Sequence, residues 1–269
     1  MLSANQITFF NRQGYLHLQK VFSEQETAEL ADHLDSMIES WASRDKNWTG
    51  PWRQVYMDEQ TEKVSKLVAM HDLHFYSEAW MRAVTNRNLA EAMGDLLGGP
   101  VELHHSTMHV KPPQTGQPFP MHQDWPFYPH ADGRFVDVLV HLDDTCHENG
   151  EICFLPKSHT SGPLDHITQT SEGSCTPHLS TDRYRLEDTV PVPAKAGDVV
   201  CFSIHCVHGS YVNQTKHQRR MVRVGYRHPD NHQLGGQSVG RPGLMVCGCR
   251  PRHEGNELFS TAGPVPQET

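Results

Sequence analysis

Five segments between residues 101 and 226 alternate polar and apolar side chains with a period of two, and this pattern limits the possible fold most strongly. Each segment predicts a β-strand with two chemically different faces, because successive side chains of a strand point to opposite sides. The apolar faces are expected to pack under helices, and the polar faces are expected to line a wet pocket rather than a dry core. The chain is therefore predicted to be mainly β with a polar interior. The segments are residues 101–111, 135–143, 151–156, 198–203 and 219–226.

Residues 1–100 are predicted to form a mainly helical support for these strands. Two helix starts are predicted from capping boxes, in which a serine is followed three residues later by glutamine or glutamate. They are Ser3 with Gln6 and Ser23 with Glu26. The polar, weakly patterned residues 42–74 predict a long loop or lid. Residues 101–230 are expected to form the β core of a single domain that spans residues 1–269. The Pro- and Gly-rich residues 250–269 predict a loose tail.

Two imidazoles and one carboxylate come from the tripeptide His122-Gln123-Asp124 and the distant His208. That ligand set is typical of a facial non-haem Fe(II) site, which leaves positions open for an oxidant and a co-substrate. Side chains at i and i+2 of an extended segment point the same way, so His122 and Asp124 are expected to reach one ion. The tripeptide alone is a weak signal, because the chain contains 20 histidines.

Arg219 follows His208 by 11 residues, with Ser210 between them. A turn at residues 213–216 is predicted to fold the strand that carries His208 back onto the strand that starts at Arg219. The guanidinium and the hydroxyl would then lie beside the metal and match the far carboxylate of 2-oxoglutarate. Adjacent strand residues point to opposite faces, and the pattern predicts that Arg219, not Arg220, faces the metal.

Composition excludes several classes of partner. The net charge is −9 and the sequence pI is about 6.1, which disfavours nucleic acid and anionic membranes as partners. No apolar stretch approaches the length of a membrane span, and the first residues lack the pattern of a secretory signal. Seven cysteines, an odd number, predict reduced thiols in a cytoplasmic protein. The oligomeric state is left open by the sequence.

A longer series of motifs carries a family resemblance. The motifs are Gly14-Tyr15-Leu16, Lys111-Pro112-Pro113, His122-Gln123-Asp124-Trp125, Glu148-Asn149-Gly150, Leu155-Pro156-Lys157-Ser158-His159, Gly197-Asp198, and His208-Gly209-Ser210 with Asn213 and Arg219. In order and spacing they resemble the phytanoyl-CoA dioxygenase family of Fe(II)/2-oxoglutarate oxygenases. One departure is Lys157, where that family usually has glycine, and this affects the geometry of a turn rather than the metal site.

The resemblance implies a double-stranded β-helix of jelly-roll, cupin-like character, with His122, Asp124 and His208 as the iron ligands. It implies 2-oxoglutarate and O2 as co-substrates, with Arg219 and Ser210 on the distal carboxylate of 2-oxoglutarate and Thr107 as a further contact. The implied reaction hydroxylates an unactivated C–H bond of a small-molecule substrate and releases succinate and CO2.

Two alternatives remain from other functional classes. One is a cupin-like metalloenzyme that uses the same three ligands without a keto acid, and the pairing of Arg219 with Ser210 disfavours it. The other is a non-catalytic metal-binding protein on the same scaffold, which the retention of all three ligands disfavours. The prime substrate is not predicted, although the lack of an Arg or Lys cluster favours a free small molecule over a coenzyme A ester.

Overall fold

The computed structural model of the protein describes residues 1–42, 48–241 and 243–251, so most of the predicted tail at 250–269 lies outside the described residues. The helices are α1 Ala4–Gln13, α2 Glu24–Ser40, α3 Arg53–Tyr56, α4 Glu59–Val64, α5 Glu78–Val84 and α6 Arg87–Leu97. The strands are β1 Tyr15–Leu18, β2 Val68–His71, β3 Val101–Lys111, β4 Phe119–His122, β5 Phe135–His141, β6 Ile152–Phe154, β7 Ile167–Thr170, β8 Gly173–His178, β9 Val190–Val192, β10 Val199–Ser203, β11 His208–Ser210, β12 Arg219–Arg227 and β13 Leu244–Cys247.

The strands form two antiparallel sheets and one separate hairpin. The major sheet has the order β1-β10-β5-β12-β3-β13, with β2 also paired to β3. The minor sheet has the order β4-β11-β6-β9, and β7 pairs with β8. All five strands that the period-two pattern predicts are present, as β3, β5, β6, β10 and β12. The N-terminal region is helical as expected, and it also supplies β1 and β2 to the major sheet.

The two larger sheets face each other across an apolar layer. Leu139 and Met221 of the major sheet pack in one buried cluster with Ile152 and Phe154 of the minor sheet. Such burial between sheets removes apolar surface from water at roughly 25 cal/mol per Å², and it fixes which faces point inward. The result is a jelly roll whose interior lies between the sheets, which agrees with the predicted mainly β fold.

The outer face of the major sheet is covered by helices. Val138 and Val222 of adjacent strands share a buried cluster with Leu34 of α2, Trp80 of α5 and Met93 of α6. The apolar faces of β3, β5, β10 and β12 therefore pack under helices, as the alternation predicted, whereas Ile152 and Phe154 of β6 pack between the sheets. The opposite face of the major sheet is directed at the minor sheet. It is not the wholly polar lining that the alternation predicted, because Leu139 and Met221 lie there together with the buried side chains of Arg219 and Arg223.

Both predicted capping boxes are formed. The side chains of Ser3 and Ser23 each accept a hydrogen bond from the backbone three residues on, at the starts of α1 and α2. Helix α1 ends at Gly14, whose φ of 87° is in the left-handed region. A Cβ at Gly14 would lie 2.5 Å from Nδ1 of His159, so the close approach of that ring also requires glycine.

The prediction of one long loop over residues 42–74 is wrong for the part that is described. Helices α3 and α4, strand β2 and a 3-10 turn at Leu73–Phe75 lie there, and residues 43–47 are outside the described residues. Asp58 caps α4 by accepting a hydrogen bond from Thr61 N at 2.7 Å. These elements have three to six residues each, which is too short for a periodic pattern to be recognised.

Lys157 adopts a φ of 68°, in the left-handed region where glycine is favoured. It precedes the 3-10 turn at Ser158–Ser161. The departure from the family pattern therefore affects the backbone of this turn, as the sequence indicated, and lies outside the minor-sheet strands that carry the histidines.

Candidate metal centre and co-substrate pocket

Three buried side chains that could hold a metal ion converge at one end of the minor sheet. His122 ends β4 and His208 begins β11, and the two residues lie directly opposite each other in the antiparallel register. One ligand atom from each of His122, Asp124 and His208 lies within 4.8 Å of the others. Asp124 Oδ1 is 3.5 Å from His122 Nε2 and 3.9 Å from His208 Nε2. A single cation with bonds of about 2.0–2.2 Å to N and O atoms fits this spacing after small adjustments.

The conformation of Asp124 differs from the prediction. It was expected to share an extended segment with His122, but β4 ends at His122 and Asp124 has φ −78° and ψ −20°. Asp124 instead precedes the 3-10 turn at Trp125–Phe127. The turn, rather than the alternation of a strand, brings the carboxylate beside the two rings.

Both histidine rings are held in the tautomer that a metal requires. Nδ1 of His122 lies 2.7 Å from the carbonyl oxygen of Pro120, and Nδ1 of His208 lies 3.0 Å from that of Cys206. Because a carbonyl only accepts, Nδ1 carries the hydrogen and Nε2 presents its lone pair. Burial lowers the pKa of His208 to about 3, so its ring is neutral at pH 7. Oδ2 of the Asp124 carboxylate is buried with no hydrogen-bond partner in the described structure, which leaves it free to bind a cation.

Arg219 lies fully buried at the start of β12, on the inner face of the major sheet. Its Nη1 is 3.5 Å from the carbonyl oxygen of His109, while Nε and Nη2 have no partner among the described residues. Burial lowers its pKa to about 9. Arg220 points the other way and pairs with Asp143 at 2.6 Å and with Asp35 of α2 at 2.8 Å. The predicted register of the two arginines is confirmed.

Ser210 reaches the same region through Lys111. Lys111 lies opposite Arg219 in the register of β3 and β12, and its Nζ donates to Ser210 Oγ at 2.7 Å and to the carbonyl oxygen of Tyr211. Lys111 is fully buried, and burial together with the charge of Arg219 lowers its pKa well below the ordinary value. The sequence indicated Lys111 only as part of a motif and as one residue of a polar strand face.

The predicted hairpin between the strands of His208 and Arg219 is wrong. Strand β11 pairs with β4 and β6 of the minor sheet, whereas β12 pairs with β3 and β5 of the major sheet. Residues 213–216 therefore carry the chain from one sheet to the other. Asn213 fixes this crossing, because its Nδ2 donates to the carbonyl oxygens of Lys111, Pro112 and His217.

Thr107 is buried on β3, and its hydroxyl lies 3.0 Å from Nδ1 of His71 on β2. The β3 side chain that lines the cavity beside the cluster is that of His109, two residues after Thr107.

His141, at the end of β5, is fully buried, and neither ring nitrogen has a partner within the described chain. Burial lowers its pKa to about 3.

A small cavity opens at the cluster, and both candidate histidine ligands line it. Its remaining wall is mainly apolar, with two further polar side chains, which is the usual composition of a small-molecule site. Leu139 of β5 belongs to this wall. The other lining residues are Trp48, His109, Phe119, Ile152, Phe202, Met221 and Arg223.

Trp48 packs against the ring of His122 and lines the cavity beside the cluster. Its ring centroid lies 4.8 Å from that of His122 and 5.1 Å from that of Phe127. The fully buried side chain of Gln117 holds the backbone of Trp48, accepting from its N at 3.2 Å and donating to its O at 2.8 Å. Trp48 belongs to the segment 42–74 that was predicted to be a loop or lid, and these hydrogen bonds join it to the segment before β4.

A second buried charge lies beside the candidate ligands. Arg223 donates from Nη1 to Asp124 Oδ1 at 2.7 Å, and its guanidinium lies 5.3 Å above the ring of Tyr128. The Tyr128 hydroxyl donates to both carboxylate oxygens of Asp137, at 3.0 Å each. Neither Arg223 nor Asp137 was predicted as a site residue from the sequence. No local motif signals Arg223, because its partner Asp124 lies 99 residues away, in the turn after β4.

Comparisons with known proteins agree with this geometry. Residues 10–221 match the family described as Phytanoyl-CoA dioxygenase (PhyH). The chain is 28% identical to a probable alpha-ketoglutarate-dependent hypophosphite dioxygenase of Stutzerimonas stutzeri, over 81% of this chain and 76% of that protein. It is also 28% identical to an ectoine dioxygenase of Bordetella parapertussis, over 86% of this chain and 77% of that protein. Among solved structures, the carbocyclase SnoK from nogalamycin biosynthesis superposes with a TM-score of 0.72 at 22% identity, covering 92% of this chain and 94% of SnoK.

The chain belongs to the phytanoyl-CoA dioxygenase family, because the match covers most of its length. The protein is therefore an enzyme of the Fe(II)- and 2-oxoglutarate-dependent dioxygenase class, with a jelly-roll core. No helix in residues 1–42, 48–241 or 243–251 is both long enough and apolar enough to cross a membrane.

Proposed function

We propose that His122, Asp124 and His208 are the iron ligands and that the cavity beside them is the active site. The observation that carries this proposal is the convergence of two buried Nε2 atoms and one buried carboxylate within 4.8 Å. Two imidazoles and a carboxylate leave positions for other ligands on an Fe(II) ion. The carbonyl oxygens of Pro120 and Cys206 would hold the two rings in the binding tautomer.

We further propose that Arg219, Ser210 and Thr107 bind 2-oxoglutarate. Arg219 has two buried donor atoms without partners among the described residues, which is the expected state of a guanidinium that receives a carboxylate. Ser210 Oγ accepts a hydrogen bond from Nζ of Lys111, and Lys111 is the register partner of Arg219, so a distal carboxylate there would meet a hydroxyl, an amine and a guanidinium. Thr107 is the least supported of the three, since its hydroxyl already bonds to His71.

When bound, iron with 2-oxoglutarate and O2 supplies the oxidation that hydroxylates a C–H bond of the substrate and yields succinate and CO2. The residues of this chain position the partners and exclude water. The wall of Trp48, Phe119 and Phe202 keeps the neighbourhood of the ligands apolar. Arg219 would orient the co-substrate from its far end, so that its keto acid end meets the metal.

The prime substrate is proposed to be a small molecule, free in the cytoplasm, and nucleic acid is not proposed as a partner. The hypophosphite and ectoine that name the two relatives are both small molecules, which supports this class without fixing the compound. The net charge of −9 disfavours a polyanionic partner. We also propose that residues 1–269 form one oxygenase domain, with residues 101–230 as its core.

Anaerobic reconstitution with Fe(II) tests the ligand assignment. The wild-type protein should retain about one iron per chain, the stoichiometry of a single facial triad. Asp124→Ala and His208→Ala should each lose most of the bound iron after gel filtration. His205→Ala, which removes a buried histidine that is not part of the proposed triad, is the matched control and should retain it. Iron retained equally by both triad variants would refute the assignment.

A further inference from the structure

Two guanidinium groups point into the interior from one strand. Arg219 and Arg223 are four residues apart on β12 and share its inner face, since side chains of a strand alternate. At about 3.3 Å per residue, their Cα atoms are about 13 Å apart, on either side of Met221. Arg219 lies beside Lys111 and Ser210, the proposed position of the co-substrate. Arg223 lies beside Asp124, so the two arginines are in different parts of the interior.

Arg223 is 5% exposed and lines the cavity that the candidate histidine ligands also line. Its Nη1 is paired with Asp124, but its Nε is buried and has no hydrogen-bond partner within the described residues. A buried cationic donor without an acceptor is unfavourable, so such an atom marks a position where an acceptor is missing. When Asp124 binds a cation, its charge is shared with that cation, and Arg223 is left with less compensation.

Asp137, the other carboxylate close to this guanidinium, does not supply the missing acceptor for Arg223 Nε. Its Oδ1 is 3.9 Å from Arg223 Nε, beyond hydrogen-bond distance, and both of its oxygens accept from the Tyr128 hydroxyl. His105 Nε2, 3.9 Å from Asp137 Oδ1, is a second buried polar atom with no partner in the described chain.

We infer that Arg223 binds an anionic group of the prime substrate, a carboxylate or a phosphonate, beside the candidate metal ligands. This inference rests on the proposed function. The rings of Trp48 and Phe119, which line the same cavity, provide an apolar surface for the rest of the molecule. An anion is favoured over a neutral acceptor because charge-assisted hydrogen bonds are roughly twice as strong as neutral ones. A cationic group would be repelled by the same guanidinium.

The anaerobic complex of the enzyme with Fe(II) and 2-oxoglutarate provides the test. Butyrate and propylphosphonate are titrated into it, with butyramide as the uncharged isostere and butylamine as the cation, and binding is followed by calorimetry. The two acids separate a carboxylate from a phosphonate requirement. We expect at least one acid to bind about 30-fold or more tightly than butyramide, the effect of one buried charged pair.

Variants of Arg223 distinguish substrate binding from support of the metal ligand. Arg223→Gln should weaken binding of that acid by about 30-fold or more, while the affinity for 2-oxoglutarate changes by less than about threefold. Arg223→Lys, which retains the charge, should restore part of the affinity. Arg220→Gln, on the other face of the same strand, is the matched control and should change neither affinity.

The inference is overturned if butyramide binds as tightly as both acids, or if neither acid binds while the wild type still binds iron and 2-oxoglutarate. It is also overturned if Arg223→Gln weakens only iron or 2-oxoglutarate binding, since Arg223 would then be a positioning residue for Asp124. A wild type that binds neither iron nor 2-oxoglutarate contradicts the proposed function itself, which keeps the two failures separate.

Discussion

The ammonium group of Lys111 on β3 donates a hydrogen bond to the hydroxyl of Ser210 on β11, at 2.7 Å, and so links the major sheet to the minor sheet. Lys111 is also the register partner of Arg219. The three residues thus form one buried polar group, although they come from three different strands. This link brings Ser210 and Arg219 into one buried group without pairing of their strands.

Lys111→Met should therefore weaken 2-oxoglutarate binding more than Ser210→Ala does. The carboxylate of 2-oxoglutarate would favour the charged form of Lys111, and losing a buried charged pair costs roughly 2–5 kcal/mol, whereas a hydrogen bond from the Ser210 hydroxyl to a carboxylate contributes roughly 1.5–3 kcal/mol. We expect about a 30-fold or larger increase in the dissociation constant for Lys111→Met and about a 10- to 150-fold increase for Ser210→Ala. Anaerobic calorimetry with Fe(II) present measures both. Equal, small effects in the two variants would show that the co-substrate lies elsewhere.

The two adjacent arginines should behave in opposite ways. Arg219→Ala removes the buried guanidinium with unpartnered donors, and it should raise the 2-oxoglutarate requirement by about 30- to 1,000-fold. Arg220→Ala removes the surface pairs with Asp35 and Asp143 and should change that requirement little. Steady-state kinetics of succinate formation at varied 2-oxoglutarate measures both. A larger effect of Arg220→Ala would contradict the assigned roles.

The free energy of unfolding should fall in mild acid because buried histidines are held neutral. Burial lowers the pKa of His104 to about 3 and that of His130 to about 4, below the ordinary 6.5. Between pH 6.5 and about 4 the unfolded chain therefore binds more protons than the folded chain, so stability decreases as pH falls. Above pH 7 neither histidine contributes to a slope. Each contributes about 1.4 kcal/mol per pH unit within that range.

Urea unfolding at pH 7.5 and 5.5 measures this loss. His130→Asn keeps a donor for the carbonyl oxygen of Tyr128 but cannot be protonated, so it should reduce the loss between the two pH values by about 1 kcal/mol. His232→Asn, at an exposed position, is the matched control. If His130→Asn loses as much free energy of unfolding between pH 7.5 and 5.5 as the wild type does, protonation of His130 is not the source of that loss.

Gln117 should control how firmly Trp48 covers the candidate metal ligands. Gln117→Ala removes both hydrogen bonds to the Trp48 backbone, each of which contributes about 1 kcal/mol. Hydrogen exchange of the segment at residues 48–53 should then be about tenfold faster or more. Gln54→Ala, at an exposed position of α3, is the control for the same change of residue. Unchanged exchange in Gln117→Ala would mean that other contacts hold Trp48.

The sequence was sufficient for the long strands and for their faces. Strands β3, β5 and β12 have 7 to 11 residues, enough for the period of two to show which side chains point inward. For this reason the opposite directions of Arg219 and Arg220 were predictable. The capping boxes at Ser3 and Ser23 were predictable because every contact they need is local.

The strands that carry the candidate histidine ligands were not predictable in the same way. Strands β4 and β11 have 4 and 3 residues, and their pairing is a contact between segments 86 residues apart, as with His122 and His208. The turn residues at 213–216 predicted a hairpin, but the chain crosses there to the other sheet, and Asn213 forms hydrogen bonds with the distant end of β3 and with Pro112. The local sequence does not indicate a partner that is so distant in the chain. For the same reason the pairing of Arg223 with Asp124 could not be predicted from the sequence.

The most direct test of the whole account is the coupling of O2 consumption to succinate formation by the purified enzyme with Fe(II) and 2-oxoglutarate. A panel of small carboxylates, phosphonates and uncharged analogues is screened for compounds that stimulate the reaction. The account predicts equal amounts of O2 consumed and succinate formed, stimulation by a small-molecule substrate, and loss of both in Asp124→Ala. An iron-loaded wild type that consumes no 2-oxoglutarate with any compound, or that oxidises a substrate equally well without it, would contradict the account.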